Sequence, residues 1–248
     1  MKALAAKMRL DVLLVERGLA ESRHRAQALI LAGKVRVGSA AAQKAGMLVA
    51  ADAAVEMTGD EMPFASRAGG KLAGALEDFP VISVTGKICL DAGSSTGGFT
   101  DCLLQRGAAR VYAVDVTASQ MDWRLRQDPR VVLIERNARY LKREDLPEAT
   151  ALVVMDLSFI SVAKVLPAVT PLAAAGADFL ILVKPQFELE RKDVGKGGIV
   201  RDPALHAQAV ERVRQAALAA GLEVAGSHPS RVTGAEGNQE FFLHARKP

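Results

Sequence analysis

Two cysteines, one tryptophan, two tyrosines and four histidines are all that this 248-residue chain holds of those types. Cys89 and Cys102 flank a glycine-rich stretch, one in an expected strand and one in an expected helix. Buried thiols are therefore expected in preference to a disulfide or a metal site, which suits a reducing cytoplasm. His24, His206, His228 and His244 share no metal-ligand spacing, and no metal is expected. Long apolar runs are missing as well. The best candidate, 165–183, contains Pro167, Pro171, Gly176 and Asp178, so no membrane span is expected. Lys7, Arg9 and Asp11 interrupt any apolar start, which argues against a signal peptide.

The glycine-rich stretch also lacks something. Lys87-Ile88-Cys89-Leu90 ends in Asp91; a loop of Gly93, Ser94, Ser95, Thr96, Gly97 and Gly98 follows, and Phe99 to Gln105 reads as a helix. Strand, glycine turn and helix open a nucleotide-binding sheet, where absent β-carbons let backbone approach a ligand. A dinucleotide fingerprint spaces its glycines G-x-G-x-x-G, and a triphosphate loop ends in Gly-Lys-Ser/Thr. Here the spacing is G-x-x-x-G-G, Gly98 is followed by Phe99, and Asp91 would repel phosphate. A cationic ligand fits better, such as the amino-acid end of S-adenosylmethionine. A tight turn without a ligand is the competing reading.

Half the residues are hydrophobic, enough for one large or two smaller α/β domains with a sizeable core. The net charge of +4 is uneven. Residues 1–50 carry nine Lys and Arg against three acids, a net +6; the remaining 23 basic and 25 acidic residues net −2. A basic piece on a near-neutral body points to an anionic polymer as partner, with a solvated charged face as the alternative.

In chain order, 9–18 places Leu10, Leu13 and Leu14 at helical spacing and stops at Gly18. Ser22 starts a second helix that Gly33 ends, with Arg23 and Arg25 in the first turn, where free N–H groups favour phosphate. A strand over 34–38 puts Lys34 and Arg36 on one side, and a second strand is expected near 47–57. The words Arg9-Leu10-Asp11, Ser22-Arg23, Ala26-Gln27, Leu29-Ile30 and Gly33-Lys34-Val35 resemble the small RNA-binding domain of the ribosomal-protein-S-four type. Val37-Gly38-Ser39 stands where that family has Val-Asn-Gly. After a linker at 61–64, Ser66 is expected to cap a helix carrying Arg67 and Lys71. Strands are expected at 110–115, 130–135, 151–156, 178–184, 222–227 and 240–245, with Asp202-Pro203 opening a helix to about 220. Asp115 suits ribose hydroxyls, or alternatively a helix cap. Glu188 and Glu190 read as surface acids.

A doubly wound sheet binds ligands at the carboxyl ends of its strands, where Asp91, Asp115, Asp156 and Lys184 all fall. The helix before the sheet runs antiparallel to the strands and brings Lys71 to the same edge; an antiparallel last strand would add Glu240. Lys71, Asp156, Lys184 and Glu240 resemble the K-D-K-E tetrad of FtsJ-like ribose 2′-O-methyltransferases. Ser66-Arg67-x-Gly69-Gly70-Lys71-Leu72, Asp91-x-Gly93 to Thr100, Asp156-Leu157-Ser158-Phe159-Ile160-Ser161, Lys184-Pro185-Gln186-Phe187-Glu188, Gly195-Lys196-Gly197-Gly198 and Gly237-Asn238-x-Glu240-Phe241 are similar to the TlyA family, over about residues 9–242. Ala68, where glycine is common, and 117–120, where a Gly-Tyr-Gly stretch is usual, depart from it.

The resemblance implies a Rossmann-like class I methyltransferase sheet, mostly parallel with an antiparallel last strand, over 63–248, and a small α+β RNA-binding domain over 1–62. It implies S-adenosylmethionine held by Asp91, Gly93, Ser94, Ser95, Gly97, Gly98, Phe99, Asp115, Val116, Asn137, Ala138 and Asp156. It implies RNA contacts from Arg9, Arg17, Arg23, Arg25, Lys34, Arg36, Arg67, Lys196 and Asn238, the last helping to place the ribose. The implied activity is 2′-O-methylation of cytidine in ribosomal RNA, in the cytoplasm, without metal or membrane. The chain stops eight residues after Glu240, short of the longer members' extension, which favours the large ribosomal subunit as target. In that chemistry Lys184 stabilises the developing alkoxide, or takes the proton if a neighbouring lysine depresses its pKa. Asp156 and Glu240 hold the lysines, and Lys71 binds phosphate or tunes Lys184. Two rivals are a membrane-active haemolysin, as the family name suggests, and an RNA-binding assembly factor with a vestigial methyltransferase body.

Overall fold

Short apolar repeats build the first of two units, Met1–Glu61 and Met62–Pro248. The computed structural model describes residues 7–20, 22–31, 34–38, 40–42, 44–57, 63–234 and 236–248, apart from the side chains of residues 28, 41 and 196. In the first unit the elements are β1 (Lys7–Arg9), α1 (Leu10–Glu16), α2 (Arg23–Leu31), β2 (Val35–Val37), β3 (Ala40–Ala41), β4 (Leu48–Ala50) and β5 (Val55–Met57). Leu10, Leu13 and Leu14 of α1 meet Ala26 and Ile30 of α2 over Val35 and Val49.

Two expectations change here. Residues 7–9, too short to show a period, form a strand paired with β4, Arg9 opposite Leu48, and α1 starts only after it. The single strand expected near 47–57 is broken by a turn in which Ala53 N–H donates to Ala50 C=O at 2.9 Å. Its halves join different sheets, β4 with β1 and β5 with β2. Ser22 does cap α2, its Oγ accepting from Arg25 N–H at 3.2 Å. The expected stop at Gly33 lies outside the described residues, as does the linker at 61–62.

The second unit runs α3 (Arg67–Asp78), β6 (Ile88–Ala92), α4 (Gly98–Gln105), β7 (Arg110–Asp115), α5 (Trp123–Gln127), β8 (Val131–Glu135), β9 (Thr150–Met155), α6 (Leu166–Val169), β10 (Ala173–Val183), α7 (Pro185–Glu188), α8 (Pro203–Ala219), β11 (Glu223–Pro229) and β12 (Phe241–Arg246). Among the described residues seven strands form one sheet, in the order β11-β12-β10-β9-β6-β7-β8. The five strands β6 to β10 are parallel, and β12 runs antiparallel to both neighbours. The class I order with a reversed last strand is the expected one.

Alternation along each strand supplies both faces. Leu152, Val154, Leu180 and Leu182 pack with Leu72 and Leu76 of α3 and Leu103 of α4. Val153, Met155, Phe179 and Ile181 point the other way, to Val213 and Ala217 of α8 and Leu166 of α6. With both faces covered, the buried stretches 152–155 and 179–183 read as unbroken apolar runs, and Asp115, Asp156 and Lys184 stand where strands end. Asp202 caps α8 as expected, accepting from Ala204 N–H at 2.8 Å. Ser66 occupies the cap position of α3 but makes no side-chain cap bond. Its hydroxyl is instead packed against Gly98, leaving no room there for a β-carbon.

Candidate active site

The loop between β6 and α4 needs its glycines. Gly93 and Gly97 both stand at φ +91, in the left-handed region. A β-carbon on Gly93 would strike the carbonyl oxygen of Asp156, and one on Gly97 the side chain of Leu125. Gly93 and Ser94 N–H donate to Val114 C=O at 2.9 and 3.0 Å, which moulds the loop onto the end of β7. There Asp115 accepts from Ser95 N–H at 2.9 Å and Thr117 N–H at 3.1 Å. Asp115 caps no helix, since the next helical turn begins at Ala118 with Thr117 at its cap position.

Above this loop lies a cavity of about 360 Å³, lined by Gly93, Ser95, Asp115, Val116, Asn137, Ala138 and Asp156, with Gln120 and Arg136. Other expected contacts lie beneath or behind the loop. Ser94 is buried, Gly98 opens α4, and Phe99 is core, its ring stacked on Phe242 at a centroid distance of 6.1 Å. Phe99 is thereby corrected from ligand contact to packing: as the second residue of α4 it faces the sheet. Asp91 is fully buried. Its Oδ2 accepts from Thr100 Oγ1 at 2.7 Å, and its Oδ1 has no partner among the described residues. Burial pushes its carboxyl up to about 7 against the pull of the Thr100 hydrogen bond, with the nearby Asp156 adding to the rise. Burial likewise pushes the Cys89 and Cys102 thiols up to about 12.

A second cavity, of about 430 Å³, is lined by Lys71, Lys184, Asn238 and Glu240. Sheet register explains the gathering. Val183 pairs with Phe241, so the next residues outward, Lys184 and Glu240, stand together at the edge. Helix α3 begins near that edge and runs away from it, with Lys71 in its second turn. Lys71 Nζ lies 2.5 Å from Glu240 Oε2, and Lys184 Nζ lies 2.5 Å from Asp156 Oδ1, with all four side chains at most 14% exposed. Lys184 also donates to Ser158 Oγ at 2.9 Å. Two buried ion pairs are a poor source of stability, because desolvation offsets their attraction. Their concentration at one strand edge marks a site that uses charge.

Ser158 and Phe159 line both cavities. Phe159 is 91% exposed at φ +64, a conformation a residue with a β-carbon adopts only under constraint. The 156–161 motif lay among those that carry the family resemblance, but no role for Ser158 or Phe159 was expected from it.

Asn238, expected to help place the ribose, lines the second cavity and is also held by its own chain. It is 1% exposed; its Oδ1 accepts from Val200 N–H and its Nδ2 donates to Gly198 C=O, both at 2.9 Å. With both ends of the amide engaged, it ties the 195–200 loop to the start of β12. Glu188 departs from the surface acid expected. It is buried, accepting from Ser161 Oγ at 2.6 Å and Val162 N–H at 2.9 Å, and burial raises its pKa. Glu190 is exposed.

Arg67 is exposed and donates to Thr233 C=O at 3.3 Å; the Lys196 side chain lies outside the described residues. In the first unit, Arg9, Arg23 and Gln27 all donate to the buried Asp11, whose carboxyl is held well below the usual range, first by Arg9. Arg17 donates to the carbonyls of Ala51 and Ala53 at 2.6 and 2.7 Å. These bonds give Arg9, Arg17 and Arg23 structural duties beside any in RNA binding. Arg25 and Lys34 are exposed, and Arg36 is half-buried.

Comparison with known proteins agrees with this geometry. The FtsJ-like methyltransferase family matches residues 64–247, and the S4 domain matches 8–55. The chain is 49% identical to the Mycobacterium tuberculosis protein named 16S/23S rRNA (cytidine-2′-O)-methyltransferase TlyA, over 98% of this chain and 91% of that one. It is 42% identical to "Hemolysin A" of Brachyspira hyodysenteriae, over 96% and 99% of the two chains. The solved structure of a haemolysin-named protein from Streptococcus thermophilus superposes with a TM-score of 0.75 at 38% identity, covering 99% of this chain and 90% of that one. With an S4 domain ahead of an FtsJ-like methyltransferase body, and relatives of this identity along nearly its whole length, the chain belongs to the TlyA family.

Proposed function

We propose that the protein transfers a methyl group from S-adenosylmethionine to the ribose 2′-hydroxyl of a cytidine in ribosomal RNA. The observation that carries this reading is the Lys184–Asp156 pair, which stands in the wall between the two cavities, Asp156 lining one and Lys184 the other. The first cavity suits the cofactor. Gly93 lines it without a β-carbon, and Ser95, Asp115, Asn137 and Asp156 supply polar groups around it. Bound there, S-adenosylmethionine supplies a methyl group activated by its sulfonium.

The second cavity suits the ribose. A 2′-hydroxyl is a weak acid and must give up its proton as its oxygen attacks. Lys184, fixed by Asp156 and Ser158, stabilises the charge that develops on that oxygen. Glu240 holds Lys71, which faces the RNA backbone or tunes Lys184. Phe159, exposed between the cavities, offers a platform on which the target base can stack once it leaves its helix. Residues 1–62 supply RNA affinity, through Arg25 and Lys34 among others, and residues 63–248 supply the chemistry. We place the reaction in the cytoplasm and take 23S rRNA, in the large subunit, as the first target to test; the M. tuberculosis relative's name gives both 16S and 23S.

The haemolysin reading has the relatives' names in its favour, but two buried ion pairs between small cavities have no use in lysis. Among the described residues no helix is long and apolar enough to cross a membrane. The test maps 2′-O-methyl groups on rRNA of separated subunits, from cells with the wild-type protein, with Lys184→Met and with none. A methyl group present only with the wild type is expected. Identical maps would overturn the reading, and lysis of red cells by both purified proteins would support the rival.

A further inference from the structure

The loop after Asp156 is pinned at two points by the segment after β10. Before Phe159, Asp156 and Ser158 both meet Lys184 Nζ, at 2.5 and 2.9 Å. After it, Glu188 receives Ser161 Oγ at 2.6 Å and Val162 N–H at 2.9 Å. Phe159 stands between the pins, and its ring rests on Phe187 of the same segment at a centroid distance of 5.3 Å. Arg212 of α8 donates to the Glu188 carbonyl at 2.9 Å and anchors the segment.

A left-handed, exposed phenylalanine persists only if its surroundings over-determine it. Water gives such a ring no reason to stay outside. The Lys184 pin alone leaves the loop free to relax on its far side. Glu188 closes that side with two hydrogen bonds to an acidic acceptor, stronger than neutral ones. It lines neither cavity, so it touches neither of the proposed ligands.

We propose that Glu188 is a positioning residue for methyl transfer: it holds Phe159 in its strained, outward conformation so that the ring is in place when the target base arrives. The inference rests on the reading of the site as an RNA ribose methyltransferase.

The test measures single-turnover methyl transfer to ribosomal subunits from cells lacking the protein, at saturating S-adenosylmethionine. The variants are Phe159→Ala, Glu188→Ala, Glu188→Gln, Ser161→Ala and the double variant Phe159→Ala/Glu188→Ala. Phe159→Ala and Glu188→Ala should each slow transfer roughly 10-fold to 100-fold, the worth of one base-stacking contact. Cofactor affinity by calorimetry should be unchanged in both. Glu188→Gln, which keeps an acceptor for Val162 N–H and a donor for Ser161 Oγ, should recover most of the rate. The double variant should be no slower than Phe159→Ala alone, because Glu188 acts through that ring. Losses that multiply in the double variant, or a full rate in Glu188→Ala, would overturn the proposal. Should Glu188→Ala fail to fold, Ser161→Ala in both backgrounds decides: a loss confined to the background with Phe159 supports the proposal, and any other pattern overturns it. A wild type that methylates no rRNA removes the site reading and this inference together; a wild type that methylates while the losses multiply removes only the inference.

Discussion

Among the described residues each unit of the molecule buries one aspartate completely, and the two are handled in opposite ways. Asp11, in α1, is surrounded by donors: Arg9 with two bonds at 2.9 Å, Gln27 at 2.8 Å and Arg23 at 3.3 Å. Asp91, in β6, has one donor, Thr100, and an oxygen with no partner among the described residues. Both are closed to solvent, but burial is the leading influence on Asp91, deep in the sheet, whereas around Asp11 the donors outweigh it. Asp11 is held charged and Asp91 is pushed up to about 7. A carboxylate saturated by its own chain stabilises a fold. One left half-satisfied carries a cost that its own chain does not offset.

The comparison is broken or sharpened by four substitutions. The largest effect is expected from Gly93→Val, which sets a side chain against the Asp156 carbonyl in a left-handed backbone. It should weaken S-adenosylmethionine binding roughly 100-fold or more, as a collision worth a few kcal/mol costs. Calorimetric affinity equal to wild type would show that the space beside Asp91 is not the ligand's.

Asp11→Ala comes next. It strips the acceptor from three side chains in the first unit, a loss of about 2 kcal/mol for the hydrogen bonds to a charged group that go with it. Denaturant unfolding should show the first unit melting earlier while S-adenosylmethionine still binds. An unchanged midpoint would mean that the knot around Asp11 contributes nothing.

The two aspartates also differ in the sign of their pH dependence. Asp11 has a lowered pKa, so its contribution is present above the ordinary value of 3.8 and is lost as pH falls below it. Asp91 has a raised pKa. Between 3.8 and about 7 the folded chain keeps a proton that the unfolded chain has released, so stability falls as pH rises through that window. Asp91→Asn should remove this fall, making the cofactor-free variant more stable than wild type at pH 8 but not at pH 4. A difference that stays constant with pH would refute the assignment. The smallest effect is expected from Glu190→Gln: exposed, two residues from buried Glu188, it should change stability by less than about 0.5 kcal/mol and leave the rate alone.

How much of this was legible in advance follows from the range of the interactions involved. The strands of the body and its three longer helices, the turn at Gly93, the caps at Ser22 and Asp202, and the gathering of Lys71, Asp156, Lys184 and Glu240 at one edge were all readable, while the short helices α5, α6 and α7 were not. Caps and turns depend on residues a few positions away, and parallel sheets bring strand ends to one side by rule. The short strand at 7–9 was not readable, because it exists only by pairing with 48–50. Nor was the fate of Phe99, Asn238 or Glu188. The partners of Asn238 are 38 and 40 residues away, and those of Glu188 are 26 and 27 away. A string of residues determines which polar groups a chain carries and on which element they sit. Whether such a group meets water, a ligand or a distant donor is decided by what packs against it, and for Asp11, Asp91 and Glu188 the tertiary structure alone supplied the answer.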